Sequence, residues 1–228
     1  METVASKIYQ NIKEKIIEGT LSPGVRITEQ GIAESFKSSR TPVREAIRGL
    51  AADGFLIVKA NSTTVVRGWE QEEIIELFTL RSMLESELAA MAAINITPQD
   101  IQKLVLIQTE IERQGPNISA ENTARITPLN RDFHQIIHCA AQSERLVDLL
   151  QNTIEVPIVQ QTFRRYNPAE MARSFGHHRE LIDALDSRDA SWAKSVMNSH
   201  IRNAKRVLMA TQSTWAAQLQ PVPSSVTT

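Results

Sequence analysis

Two sets of residues have types and spacings that could do chemistry: a row of arginines near the N-terminus and a scatter of histidines further on. Arg40, Arg44 and Arg48 recur at every fourth position of Ser39-Arg40-Thr41-Pro42-Val43-Arg44-Glu45-Ala46-Ile47-Arg48-Gly49-Leu50. In the same stretch Val43, Ala46, Ile47 and Leu50 fall at i, i+3, i+4 and i+7, which predicts a helix with its guanidiniums facing away from an apolar stripe. Hydroxyls at Ser39 and Thr41 can cap the first free amides, and Pro42 suits a first turn, where its missing N–H costs nothing. Such a helix can enter a DNA major groove, where Arg pairs bidentately with guanine while hydroxyls and helix-end amides hold phosphates. The plainer alternative is a solvated basic face.

The five histidines, His134, His138, His177, His178 and His200, all lie in the second half of the chain. On helices turning by about 100° per residue, His200 falls amid Ala193, Val196, Met197, Ala204 and Val207, and His178 within the stripe of Leu181, Ile182 and Leu185. Asn130 and His134, one turn apart, flank the core line of Leu129, Phe133 and Ile137. Three imidazoles and a side-chain carbonyl thus point inward from three helices. Together they describe a polar cavity suited to a divalent ion, zinc above all, with nickel or manganese as alternatives. Each alone is more simply a hydrogen-bonded packing residue. His138 projects further from the core line and reads as surface; His177 is assigned to neither group. Arg81 falls in the buried line Ile74, Leu77, Arg81, Leu84, Leu88, where a guanidinium that keeps its proton needs a carboxylate partner or an anionic ligand. Glu85, one turn on, is the internal candidate for that partner. No inward carboxylate stands poised as a general base, so no catalytic residue is assigned. A metal-dependent hydrolase is the alternative of a different class, because three histidines with an open position also describe a hydrolytic zinc centre.

The elements that must position these residues follow from the hydrophobic pattern. Val4 to Gly19 reads as an amphipathic helix with Ile8, Ile12, Ile16 and Ile17 on one face. After the turn Leu21-Ser22-Pro23-Gly24 come a very short strand at Val25-Arg26-Ile27 and a second helix capped by Thr28, from about Glu29 to Phe36. The arginine-bearing helix ends at Asp53-Gly54, and a hairpin of Phe55–Val58 and Thr64–Val66 follows, its tip holding Asn61. Three helices and a hairpin make a winged helix-turn-helix. Beyond Trp69 six helices are expected: Glu70 to Asn95, Pro98 to about Gln114, about Ser119 to Ala141, Ser143 to about Arg165 with a kink at Pro157, one opened by Pro168, and Asp189 to about Thr211. The fold class is therefore mainly α, a winged helix-turn-helix (1–68) before a six-helix antiparallel bundle (69–212), with a disordered tail at 213–228.

Composition agrees. The 228 residues suffice for two domains, and 42% hydrophobic with 22% charged is globular. Residues 1–68 carry ten Lys and Arg against seven Asp and Glu, a balance of +3; residues 69–228 carry fifteen against nineteen, a balance of −4. The basic half suits phosphates and the acidic half does not. The single cysteine, Cys139, excludes an intrachain disulfide, no apolar run has the length of a membrane helix, and the N-terminus lacks the form of a signal peptide, so a cytoplasmic protein is expected.

The motifs also carry a family resemblance. Ile16-Ile17-Glu18-Gly19, Leu21-Ser22-Pro23-Gly24, Ile27-Thr28-Glu29 and the run Ser39 to Ala46 resemble the DNA-binding domain of GntR-family bacterial regulators. That resemblance implies operator contacts at Ser39, Arg40, Thr41 and Arg44, and a wing tip, here with Asn61, reaching the minor groove. Leu77 to Glu85, Asn130-Arg131-Asp132-Phe133-His134, His178 to Ala184 and Asn198-Ser199-His200-Ile201 resemble the FCD effector domain of the FadR subfamily, with a helix count nearer its VanR-type branch. By resemblance, Asn130, His134, His178 and His200 hold a divalent metal, and a small carboxylate effector completes the site with Arg81. Asn130 stands where many relatives have Asp, a neutral and weaker ligand. The function implied is a dimeric, ligand-responsive regulator, a repressor released from a near-palindromic operator by its effector. A regulator sensing the metal itself is the further alternative.

Overall fold

The computed structural model describes residues 3–17, 19–59, 63–116, 119–153, 162 and 165–218. The chain divides into two compact units, with the boundary between Glu70 and Gln71.

The N-terminal unit is built on three helices: α1 (Val4–Ile17), α2 (Glu29–Ser35) and α3 (Arg40–Ala52). Ile8, Ile12 and Ile16 of α1 meet Val43, Ala46, Ile47 and Leu50 of α3, and Phe55, Leu56 and Val66 close the core. The face of α3 that buries Val43 and Leu50 completely leaves Arg40, Thr41, Arg44 and Arg48 exposed on the other side. Strands β1 (Arg26–Ile27), β2 (Leu56–Lys59) and β3 (Thr63–Val66) form an antiparallel sheet in the order β1-β3-β2. Gly54 turns the chain from α3 into β2 at φ 77°, a left-handed conformation that glycine adopts without strain. The hairpin tip with Asn61 lies outside the described residues.

The C-terminal unit comprises, among the described residues, six helices: α4 (Gln71–Asn95), α5 (Pro98–Arg113), α6 (Ala120–Ala140), α7 (Glu144–Thr153), α8 (Pro168–Asp186) and α9 (Ala190–Gln218). Their starts are fixed locally. Thr97 and Ser119 accept from the amides of Asp100 and Asn122, and Asn167 and Glu170 form a reciprocal capping box with Pro168 just inside. Helix α4 packs along α9 and also meets α6, α7 and α8, while α5 bridges α6 and α8. The polar residues of interest thus come from four walls around one interior. One expected boundary differs. Helix α9 continues to Gln218, beyond the expected end near Thr211, because neither Gly nor Pro interrupts the chain before Pro221. Residues 213–218, expected in the tail, are therefore helical, while 219–228 lie outside the described residues. The fourth expected helix is observed as α7 to Thr153; the kink at Pro157 lies outside the described residues.

Candidate functional site

On the N-terminal unit, the exposed arginine row Arg40, Arg44 and Arg48 lies on α3. Ser39 occupies the position before the helix with an extended backbone, yet its hydroxyl makes no capping bond, contrary to expectation. The first amides of α3 therefore keep their donors free of that side chain, the arrangement that suits a helix N-terminus to an anion. Arg44, a turn further on with its side chain 57% exposed, is not free: its Nε donates to both carboxylate oxygens of Glu29, at 2.9 and 3.1 Å. That pairing engages the Nε edge of the guanidinium and leaves its two terminal nitrogens outside the pair.

Inside the C-terminal unit the expected histidines converge. One ring nitrogen from each of His134, His178 and His200 lies within 4.8 Å of the others, and all three residues are buried. Burial holds all three imidazoles below the ordinary value of 6.5, His178 and His200 far below it, and the mutual repulsion of the rings adds to the effect for those two. Burial thus favours their neutral form, and a neutral imidazole offers the lone pair a metal requires.

The orientation of His178 is fixed by a chain that reaches the surface. Arg179 donates from Nε and Nη2 to the two oxygens of Glu112, at 2.8 and 2.7 Å. Glu112 in turn accepts from Nε2 of Gln108 at 2.9 Å. A carboxylate can only accept, so the Gln108 amide must present its oxygen at the other end, where it lies 2.7 Å from Nδ1 of His178. Nδ1 therefore carries the proton and Nε2 carries the lone pair, with Phe133 stacked on the ring at 4.2 Å. That Nε2 makes no hydrogen bond, nor does Nδ1 of His200 or Oδ1 of Asn130, all buried.

A carboxylate completes the cluster. Glu85 is 1% exposed and accepts from Nε and Nη2 of Arg81 at 2.9 and 2.8 Å. Its second oxygen lies 3.0 Å from Nδ1 of His134, off the line of a straight hydrogen bond, and 3.6 Å from Nε2 of His138. Burial works against its charge, but Arg81 and the two facing imidazoles outweigh it and hold the carboxyl well below the usual range. The structure thus realises the internal Arg81–Glu85 partnership. His138 is corrected: its side chain is only 13% exposed and it belongs to the buried cluster, one helical turn from His134. His177 stands at the edge, its ring centre 5.8 Å from that of His200.

Buried polar atoms without partners normally cost on the order of 1–3 kcal/mol each, and an ion shared by the three imidazoles would relieve that cost. Nitrogens about 2.1 Å from a shared tetrahedral ion are about 3.4 Å apart, so a spread of up to 4.8 Å asks the rings to move inward on binding it. Sequence reasoning missed Gln108 altogether; its signal was a polar residue in the buried line Leu104, Gln108, Ile111 of α5. It also placed Glu85 beside Arg81 without seeing that it faces His134.

Comparison with known proteins meets this architecture at both ends. Residues 4–66 match the family model "Bacterial regulatory proteins, gntR family", and residues 76–203, over half the chain, match the FCD domain. The chain belongs to the GntR family. The Nta operon transcriptional regulator of Aminobacter aminovorans is 33% identical over 181 residues, covering 79% of this chain and 82% of the relative. The HTH-type transcriptional repressor RspR of Escherichia coli is 24% identical over 204 residues, 88% of this chain and 87% of its own. Among solved structures, E. coli McbR/YncC superposes with a TM-score of 0.67 at 22% identity, covering 93% of this chain and all of that one, which supports the fold. This GntR-family chain is accordingly a transcriptional regulator with a DNA-binding N-terminal unit and an FCD unit. No helix among its described residues is long and apolar enough to cross a membrane.

Proposed function

We propose that this regulator is a repressor that binds a near-palindromic operator as a dimer, in the cytoplasm, and leaves it when a small carboxylate reaches a divalent ion in the FCD unit. The observation that carries this reading is the set of buried polar atoms without partners on His178, His200 and Asn130, in a unit that also buries Arg81. His134, His178 and His200 would hold the ion, zinc by the chemistry of the donors, with Asn130 as a neutral fourth ligand. The bound ion supplies a positive centre to which a carboxylate can bind. Arg81 has two nitrogens on Glu85, so an incoming carboxylate would share it, and Glu85 would tilt toward His134 and His138. On the DNA side, one recognition helix makes few base contacts, so useful affinity needs two related by a two-fold axis. Ser39, Arg40 and Thr41 would take backbone phosphates, Arg44 a base, and Asn61 the minor groove. The effector need only bind the DNA-free form more tightly than the bound form.

The test starts from DNA fragments that the purified protein retains, sequenced to recover an operator. Operator affinity is then measured by anisotropy against small mono- and dicarboxylates, with zinc and after chelation. Release should require both carboxylate and metal, and metal analysis should find close to one ion per chain in the wild type and none in His178→Ala. Removing Arg81 alone would strand a buried Glu85 charge, so the informative variant is Arg81→Met with Glu85→Gln, which should bind operator and ignore the carboxylate. Release by metal alone would establish a metal sensor instead, and a metal-free wild type would overturn the ion-centred reading.

A further inference from the structure

Beyond the histidine cluster, the FCD unit holds a cavity of about 900 Å³ among α4, α8 and α9. Its charge is one-sided. Arg173, Arg202, Lys205 and Arg206 line it, and no Asp or Glu does. Arg206 is paired with Glu170 at 3.0 Å, while among the described residues Arg173, Arg202 and Lys205 face no carboxylate partner. Arg202 and Lys205 are three apart on α9, and Arg202 and Arg206 four apart, spacings at which like charges on a helix repel. This concentration of positive charge stands in the half of the chain whose balance is −4.

A second observation points to a ligand. Asn203 lines the same cavity, is 7% exposed, and accepts from Arg206 through Oδ1 at 3.4 Å, yet its Nδ2 donor has no partner. A buried donor without an acceptor beside cations without anions is satisfied by one kind of guest, an acceptor carrying negative charge. Phe78, Met83 and Met209 give the cavity an apolar side, and its volume is that of pockets for whole organic molecules, not for a lone ion.

We infer that this basic cavity is a second effector site, separate from the histidine cluster, that binds a small organic polyanion bearing carboxylate or phosphate groups, with Arg173, Arg202 and Lys205 holding the charge and Asn203 donating to it. The site makes no use of the metal. His177 lines it from the edge of the cluster, but Arg81, His134, His178 and His200 do not.

The experiment uses full-length protein stripped of metal by chelation, so that it is independent of the ion-centred reading. Calorimetry with two probes, inorganic pyrophosphate and propane-1,2,3-tricarboxylate, should find one site per chain with a dissociation constant that rises with salt. The tighter probe names the preferred head group. Arg202→Gln, an exposed position that does not burden folding, should weaken binding at least about tenfold, and Arg173→Gln should do the same. Arg145→Gln, an exposed arginine on α7, should leave it unchanged. The inference is overturned by an absence of binding to both probes, by equal weakening in Arg145→Gln, or by an unaltered constant in Arg202→Gln. Loss of binding on chelation would place the anion at the histidine cluster and overturn it equally.

Discussion

Replacing Gln108 with Leu tests whether the tautomer of His178 is set by its neighbour. Leu retains most of the volume at a fully buried position but offers no acceptor to Nδ1–H, 2.7 Å away in the native protein. Two consequences follow. The metal-free protein keeps a buried donor without an acceptor, or shifts the proton to Nε2, and either costs about 1–3 kcal/mol. In a unit of this size that lowers the melting temperature by roughly 2–4 °C per kcal/mol. Metal binding must then restore the Nδ1–H tautomer without help, and losing such an outer partner costs about 10–100-fold in affinity, or about 1.4–2.8 kcal/mol. Glu112 retains Arg179, so the surface end of the chain should survive. Zinc titration against a chromophoric competitor, alongside thermal melts of the chelated protein, reads both effects. A folded Gln108→Leu protein binding zinc within a factor of two of the wild type would show that the amide does not govern the ring.

Arg44→Ala should cost about 1–3 kcal/mol of operator binding and relax preference at one position per half-site; equal weakening on operator and random DNA would reduce Arg44 to a phosphate contact. Acid should destabilise the FCD unit early. Burial depresses His178 and His200 in the folded state, so their stabilisation is intact above pH 6.5, the ordinary imidazole value. It is lost progressively as pH falls through and below that value, because the unfolded chain takes up protons that the folded one refuses. Glu85, also depressed, adds a loss only below its ordinary 4.5. Melting of the metal-free protein between pH 8 and 4 should therefore decline first in the imidazole range, and His178→Ala should shrink that first decline. A curve flat to pH 5 would contradict the burial of neutral rings.

The winged helix-turn-helix was legible because its core is local and periodic: the isoleucines of α1 and the Val43–Leu50 stripe meet as their spacing requires. The convergence of His134, His178 and His200 was legible for the same reason, each lying in a strong apolar stripe. What escaped depends on side-chain partners chosen in three dimensions. Nothing local marks Ser39 as a position whose hydroxyl stays unbonded, or Arg44 as the partner of a residue fifteen places earlier. His138 was misplaced because its angular offset from the core line was judged without the buried carboxylate on α4 that draws it inward. Gln108 lies seventy residues from His178, and pairing over that distance follows from the packing of α5 against α8, which helical periodicity does not encode.

The bond between Glu29 and Arg44 bears on how binding responds to ionic strength. Protein–DNA affinity falls with salt in proportion to the counterions that cationic side chains displace from the phosphates. A guanidinium already matched by a carboxylate presents little net charge to that atmosphere, so on the proposed reading Arg44 would contribute weakly to the salt slope while its terminal nitrogens could still meet a base. Attraction to arbitrary DNA would then rest on Arg40, Arg48 and the lysines of the same unit. Raising the salt would thin out wandering along the chromosome faster than residence at the operator, and the regulator would become more selective as it became less sticky.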